Sequence, residues 1–214
     1  MCKLNRHYIR KLLVFTALSI FLFGCKKEID EFLLGDFKKQ NPYIGNETLI
    51  FINEIGETIV FDGEGRYSET FRTESESNPK RYYTNELDKC VFESRNGDYK
   101  FEIVLTTHKD RAFQMSIKIF RIINQPSHWC YCYSLYYQAL QNYYGRQDMY
   151  LDSLQVLDKM YYDIMVDSSL SISTSLPDDS CHRFVSNLFY TTNNGIIRLD
   201  FDDDSIWELK EILN

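Results

Sequence analysis

The chain has 214 residues, of which 44% are hydrophobic and 15% aromatic, and its 31 acidic residues against 24 basic ones give a formal net charge of −7. This length suffices for one domain with a sizeable core, or at most two small ones. An acidic surface disfavours nucleic acid as a partner, because phosphate contacts need clustered Lys and Arg.

Residues 1–24 have the layout of an export signal. Several basic residues and no acidic one precede an apolar run from Leu12 to Phe23. The run is too short to cross a bilayer, which takes about 20 apolar residues, but it fits the roughly 7–15 residues of a secretory signal. A short uncleaved signal anchor is the alternative.

The end of this run, Leu22-Phe23-Gly24-Cys25, resembles the lipobox of bacterial lipoprotein signals, in which a small residue precedes an obligatory cysteine. The resemblance implies that diacylglycerol alkylates the Cys25 thiol, that residues 1–24 are cleaved off and that the new N-terminus is acylated. Cleavage would leave the mature chain with a net charge of −11. Two or more buried acyl chains give a stable anchor. We therefore predict that the membrane is a partner through lipid on Cys25.

The next segment, residues 25–46, is charged and rich in turn residues, which predicts a lipidated N-terminus and a tether. Its acidic cluster of Glu28, Asp30 and Glu31 follows two lysines and is similar to the export tag by which Bacteroidota lipoproteins reach the cell surface. The resemblance implies an outer-membrane lipoprotein that is exposed at the surface, and a plain solvated tether is the alternative.

Residues 47–214 have the pattern of a single β-rich domain. Apolar residues alternate with period two over 99–105 and 113–119, and Arg95-Asn96-Gly97-Asp98 is a hairpin turn after 87–93. Further predicted hairpins pair 48–53 with 58–62, 154–157 with 161–166, and 189–191 with 196–201, and a terminal strand carries Trp207 and Leu209.

One short helix is predicted near 134–144, where Tyr136, Leu140 and Tyr143 or Tyr144 fall at helical spacing and Gly145 can cap the end. The fold class is mainly β, with an antiparallel sheet in a curved or partly open barrel or sandwich.

The last third of the chain resembles a recurring pattern in small uncharacterised Bacteroidota lipoproteins. A tyrosine-ended strand, a Gly turn, an apolar strand and a final Trp-x-Leu follow one another in Leu188-Phe189-Tyr190, Asn194-Gly195-Ile196-Ile197-Arg198 and Ile206-Trp207-Glu208-Leu209. The resemblance implies an all-β lipoprotein with a curved, partly open sheet, and it lends no activity.

Four cysteines remain once Cys2 leaves with the signal and Cys25 takes lipid: Cys90, Cys130, Cys132 and Cys181. Outside the cytoplasm an even number permits disulfides, with three possible pairings. A bond between Cys130 and Cys132 would be strained across i,i+2 of a strand, so we expect each to pair with Cys90 or Cys181. Buried free thiols are the alternative.

Motifs for chemistry are absent from the sequence: there is no catalytic signature, phosphate loop or dinucleotide fingerprint. The His and Cys residues around 128–132 and the aspartates at 200–204 do not have the spacing of familiar zinc or calcium sites. We therefore predict no catalytic residue, no metal and no cofactor, and a protein that is not an enzyme.

Two short motifs, Asp152-Ser153-Leu154 and Asp204-Ser205-Ile206, look like the Asp-Ser-apolar acceptor used for O-glycosylation in Bacteroidota, with plain turns as the alternative. The predicted function is a lipid-anchored binding or accessory module for an envelope protein or glycan. The alternative is a carrier that holds a hydrophobic ligand in a curved-sheet cavity.

Overall fold

The computed structural model describes residues 26–108, 111–122, 129–138, 150–168 and 185–214. Within these ranges the chain forms twelve strands and one 3₁₀ helix (Gly35–Gln40). The strands are β1 (Lys27–Phe32), β2 (Thr48–Asn53), β3 (Thr58–Ser75), β4 (Asn78–Ser94), β5 (Tyr99–His108), β6 (Arg111–Ile122), β7 (Trp129–Gln138), β8 (Tyr150–Val156), β9 (Lys159–Asp167), β10 (Val185–Thr191), β11 (Gly195–Phe201) and β12 (Ile206–Leu213).

All twelve strands belong to one sheet, in the order β7-β6-β5-β4-β3-β2-β12-β11-β10-β9-β8, with β1 paired to β4 off this path. Neighbours along the path are antiparallel, whereas β1 lies parallel to β4. The sheet curls into a half-barrel. The prediction of a mainly β fold with a curved antiparallel sheet is thus confirmed.

The predicted hairpins are present. Asn96 and Gly97 lie in the turn between β4 and β5, and β6 completes the three-stranded meander. The pairs β2–β3, β8–β9 and β10–β11 form where the alternation and turn residues indicated them. The β8–β9 turn lies one residue earlier than expected, at Leu157 and Asp158, and Leu157 takes a left-handed φ of 54°.

The helix predicted near 134–144 is wrong for residues 134–138, which belong to β7. There Ser134 pairs with Lys118 and Tyr137 with Met115, so backbone hydrogen bonds to β6 replace those of a helix. Tyrosine favours strands, and an available sheet edge overrides the weak helical spacing. Residues 139–144 lie outside the described part of the chain.

The β3–β4 hairpin is longer than the sheet around it. The two strands have 18 and 17 residues, and β5 pairs only with 87–93 of β4. Beyond that point β1 takes the place of β5, with Phe32 opposite Asn85. We call residues 67–84 together with β1 the arm. At about 3.4 Å per residue, the nine residues from Tyr67 to Ser75 make it roughly 30 Å long.

The hydrophobic core lies on the inner face of the curled sheet. Buried and part-exposed residues alternate along β5, which places Phe101, Ile103 and Leu105 inside. Trp207 packs its ring against Tyr99 and Phe201, with centroids 4.9 and 4.7 Å apart. One face of β2, β4 and β5 therefore builds a common core, as period two requires.

The N-terminal segment also contributes to this core, which differs from the tether expected over 25–46. Leu34 and Tyr43 are 1% exposed and belong to the core cluster. The folded part of the chain therefore begins well before residue 47. We call residues 34–47 the bridging segment.

Candidate functional site

The bridging segment spans the inner face from one half of the sheet to the other. The Tyr43 ring lies 4.9 Å from that of Phe92 on β4, and its hydroxyl accepts a 2.9 Å hydrogen bond from the Ile196 N–H on β11. The Tyr190 hydroxyl on β10 donates to the Gln40 carbonyl at 2.6 Å. Four other strand pairings separate β4 from β11 along the sheet, so these contacts depend on its curl.

Two glycines let the backbone of this segment lie directly on β3. The Gly65 N–H donates to the Gly45 carbonyl at 2.7 Å, and the Gly63 N–H to the Glu47 carbonyl at 2.9 Å. A Cβ on Gly45 would lie 2.3 Å from the Arg66 nitrogen, and one on Gly63 would lie 2.3 Å from the Gly45 oxygen. Only glycine permits this approach.

An ion pair fixes the segment from the sheet side. A bulge between Gly63 and Gly65 shifts the alternation of β3, so that Arg66 faces inward beside Asp88. Arg66 Nε donates to both Asp88 oxygens at 3.1 and 2.9 Å, and Nη2 donates to Oδ2 at 2.6 Å. The remaining guanidinium donors reach the carbonyls of Tyr43, Asn41 and Lys38, at 2.6, 3.3 and 3.1 Å.

Cys90 lies beneath this ion pair as a buried thiol that forms no disulfide with any side chain described in the structure. Its sulfur donates to the Tyr43 carbonyl at 3.6 Å. Burial raises the pKa of the thiol to about 11, although contact with the Asn41 side chain opposes the rise. A thiol that stays protonated is a poor nucleophile, which gives Cys90 a packing role.

The inner face is therefore occupied by the protein's own side chains and backbone. Burial also raises the pKa of Tyr43 and Tyr190, so both hydroxyls remain neutral far above neutral pH. We call the cluster of Tyr43, Arg66, Asp88, Cys90 and Tyr190 the lock, because its hydrogen bonds and ion pair join the bridging segment to the sheet.

A pocket of about 400 Å³ opens elsewhere, on the rim of the sheet beside the turn between β10 and β11. Its lining combines a cation, a carboxylate, two amides, two phenol rings, a hydroxyl and a thioether: Lys159, Asp163, Asn193, Asn194, Tyr161, Tyr162, Thr191 and Met160. Tyr162 is 64% exposed and Met160 is 50% exposed. The pocket thus offers polar partners beside an accessible aromatic surface.

The backbone of β9 is distorted at this pocket. Asp163 has φ of 53° inside a strand, a left-handed conformation that a non-glycine residue adopts at a cost. The alternation of β9 breaks here, and Ile164 and Met165 are both buried. The distortion leaves the Asp163 side chain exposed at the pocket lining.

The structure places some of the residues singled out by the sequence and not others. Ser153 is exposed on β8 opposite Tyr162, and Ser205 donates to Asp203 in the turn before β12. Cys130 and Cys132 lie on β7, with side chains outside what is described, and Cys25 and Cys181 lie outside the described residues altogether. Of the predicted site residues in this paragraph, only the side chains of Ser153 and Ser205 are described, and four strand pairings separate β8 from β12.

Metal-binding clusters and membrane-spanning helices are both absent from the described ranges. No group of three or more His, Cys, Asp or Glu residues there could hold an ion. No helix in the same ranges is long and apolar enough to cross a bilayer.

Sequence reasoning missed both the lock and the pocket. The one local signal for the lock was Gly63-Glu64-Gly65, since glycine inside a strand marks a bulge or a close backbone approach. Nothing local connects Lys159 with Asn194, because the pocket forms only when β9 and β10 pair.

Comparisons with protein-family models, with curated proteins and with solved structures find no match for this chain.

Proposed function

We propose that the protein is a lipid-anchored lipoprotein of the outer membrane whose β domain is a binding module for an envelope glycan or protein. One observation supports this most strongly: residues 34–47 fill the inner face, while the pocket beside Tyr162 opens outward. A partner therefore meets the rim and outer surface of the domain first.

The chemistry of the pocket favours a glycan over an apolar molecule. Asn193 and Asn194 offer both donors and acceptors, and Lys159 and Asp163 add one donor and one acceptor group. Sugar hydroxyls need such mixed partners, whereas the apolar faces of sugar rings pack on aromatic rings such as that of Tyr162.

The carrier hypothesis has one observation in its favour, the half-barrel curl of the sheet. A ligand on the inner face would have to displace Tyr43, which is bonded to Ile196 and packed on Phe92. That displacement would expose a core side chain and break a buried hydrogen bond, so we rank the carrier second.

Native mass spectrometry of the mature protein from its host membrane separates these functions. We expect a glycan fragment to bind the wild-type protein and Tyr67→Ala, a matched change at an exposed tyrosine of the arm. Tyr162→Ala should lose at least tenfold in affinity. A bound lipid released only on denaturation would support the carrier instead, and equal binding by both variants would refute a role for the pocket.

The anchor is tested separately. Cys25→Ser should accumulate as an unprocessed precursor without lipid, and Cys2→Ser should be processed and acylated normally, because Cys2 lies in the segment removed. Processing and acylation of Cys25→Ser would refute the lipoprotein assignment.

A further inference from the structure

The described chain enters the domain at the free end of the arm. In the parallel pairing of β1 with β4, Lys27 lies opposite Arg81, close to the 76–77 turn, and Phe32 lies opposite Asn85, towards the sheet. Lys26 forms an ion pair with Glu74 on β3. The first described residues are therefore held at the turn of the arm and not beside the core.

This entry point fixes where a lipid on Cys25 would hold the molecule. Two peptide units join Cys25 to Lys27, so their Cα atoms lie within about 7.6 Å of each other. Acyl chains on Cys25 would thus bring the free end of the arm to the bilayer surface. The core would then stand roughly 30 Å away, the length of the arm at about 3.4 Å per residue.

The free end also differs in charge from the rest of the chain. Glu74 and Glu28 both lie opposite Tyr82, so the free end at this level comprises residues 26–29 and 74–82. It contains four basic side chains, Lys26, Lys27, Lys80 and Arg81, against three acidic ones, Glu28, Glu74 and Glu76. The whole chain has 24 basic and 31 acidic residues. Lys27 and Arg81 are exposed, and Ile29 between them and the core is 41% exposed. Basic groups beside an accessible apolar side chain suit a phosphate headgroup layer.

We propose that the free end of the arm, residues 26–29 and 74–82, docks on the phosphate headgroups of the bilayer that holds the Cys25 lipid. This inference rests on the proposed lipidation of Cys25. Docking adds a contact between the protein and the headgroups to the anchor that the lipid provides. It also makes the arm a spacer between membrane and core, because β1 is paired along its length with β4. The domain is then presented at a set distance and orientation from the membrane.

Photo-cross-linking of the acylated protein in vesicles of phosphatidylglycerol and phosphatidylcholine tests the proposal. A benzophenone amino acid replaces Ser77 at the turn of the arm or, as control, Ile55, which is 74% exposed in the β2–β3 turn at the other end of the sheet. We expect lipid adducts at position 77 to exceed those at position 55 at least tenfold. Mass spectrometry of the same samples reports the acyl chains on Cys25.

Charge variants test the phosphate contact. Each basic side chain near an anionic surface contributes about a fivefold preference, so Lys80→Gln/Arg81→Gln should reduce headgroup contact roughly 25-fold. Lys39→Gln/Lys210→Gln removes two exposed lysines away from the arm and should leave the adducts unchanged. The adducts should also fall at high salt, which screens exposed charges.

The outcomes separate this inference from the proposed function. Acylated protein with equal adducts at positions 77 and 55, or with position 77 bound to protein only, would overturn the docking of the arm and leave the lipoprotein assignment standing. Protein without acyl chains on Cys25 would overturn both.

Discussion

Removing the Asp88 carboxylate should destabilise the domain strongly, because Asp88 is 2% exposed and accepts four hydrogen bonds. Three of these come from Arg66, and the fourth comes from the Ser68 hydroxyl at 2.6 Å. Removing one partner of a buried pair costs about 3–5 kcal/mol. We expect Asp88→Ala to lower the free energy of unfolding by about 3 kcal/mol, the lower end of this range. The reason is that Arg66 keeps the carbonyls of the bridging segment as acceptors.

The reverse change should cost more. Arg66→Met leaves the Asp88 charge buried with only Ser68 as a partner. It also removes one donor from each of three carbonyls of the bridging segment, so a cost of about 5 kcal/mol is expected. The double variant Arg66→Met/Asp88→Leu should lose less than the sum of the two single changes, because no buried charge is left alone.

Urea unfolding followed by circular dichroism measures these free energies. A matched control is Asp62→Ala, because Asp62 accepts Arg95 Nε and Nη2 at 2.7 and 2.9 Å in the same two-pronged geometry. Those side chains are 47% and 60% exposed, so solvent screens the pair and its loss should matter little. Equal losses from Asp88→Ala and Asp62→Ala would refute the lock.

Three further predictions concern the same cluster. Gly195→Ala should destabilise the domain by about 2 kcal/mol or more relative to Gly97→Ala. Both glycines have φ of 73°, but only at Gly195 would the new Cβ lie 2.1 Å from the Tyr43 hydroxyl. Equal losses of stability in thermal unfolding would contradict this packing. Iodoacetamide at pH 8 should modify Cys90 about 100-fold more slowly in the native than in the urea-unfolded protein, because the thiol pKa of about 11 exceeds the ordinary 9.0. Peptide mass mapping reports both rates, and similar rates would contradict a buried thiol. Because folding raises the pKa of Tyr43 and Tyr190, the native state keeps both protons longer than the unfolded chain, and stability should be full below about pH 10 and fall above it. Tyr43→Phe should make that fall shallower in urea titrations from pH 8 to 11, and an unchanged slope would contradict this origin.

The strands that the sequence predicted share a local signal. Residues 99–105 alternate strictly, and Asn96-Gly97 is a strong turn signal, so β4, β5 and β6 could be assigned without knowing what they pack on. The helix prediction was wrong over 134–138 because its local signal was weak. A helical spacing of a few apolar residues competed with an open sheet edge, and pairing with β6 decided the conformation.

The boundary of the folded part was misjudged for a related reason. Residues 34–47 contain charged and turn residues in a pattern typical of a tether. Their four large apolar members, Leu34, Phe37, Tyr43 and Ile44, are too few to show a period. Tyr43 becomes a core residue only because Ile196, 153 positions away, offers its N–H and the sheet curls to bring it there.

The sequence by itself determined the class of the fold, the positions of most hairpins and the acidic balance that disfavours nucleic acid. Each depends on neighbours within a strand or a turn, or on composition alone. Only the tertiary structure decided that the inner face is filled by the bridging segment, that Arg66 meets Asp88 there, and that a pocket opens beside Tyr162. Those features depend on which strands pair and how far the sheet curls. Pairing and curl are decided by the whole fold, which must bury apolar side chains and still leave few buried polar groups without a hydrogen bond.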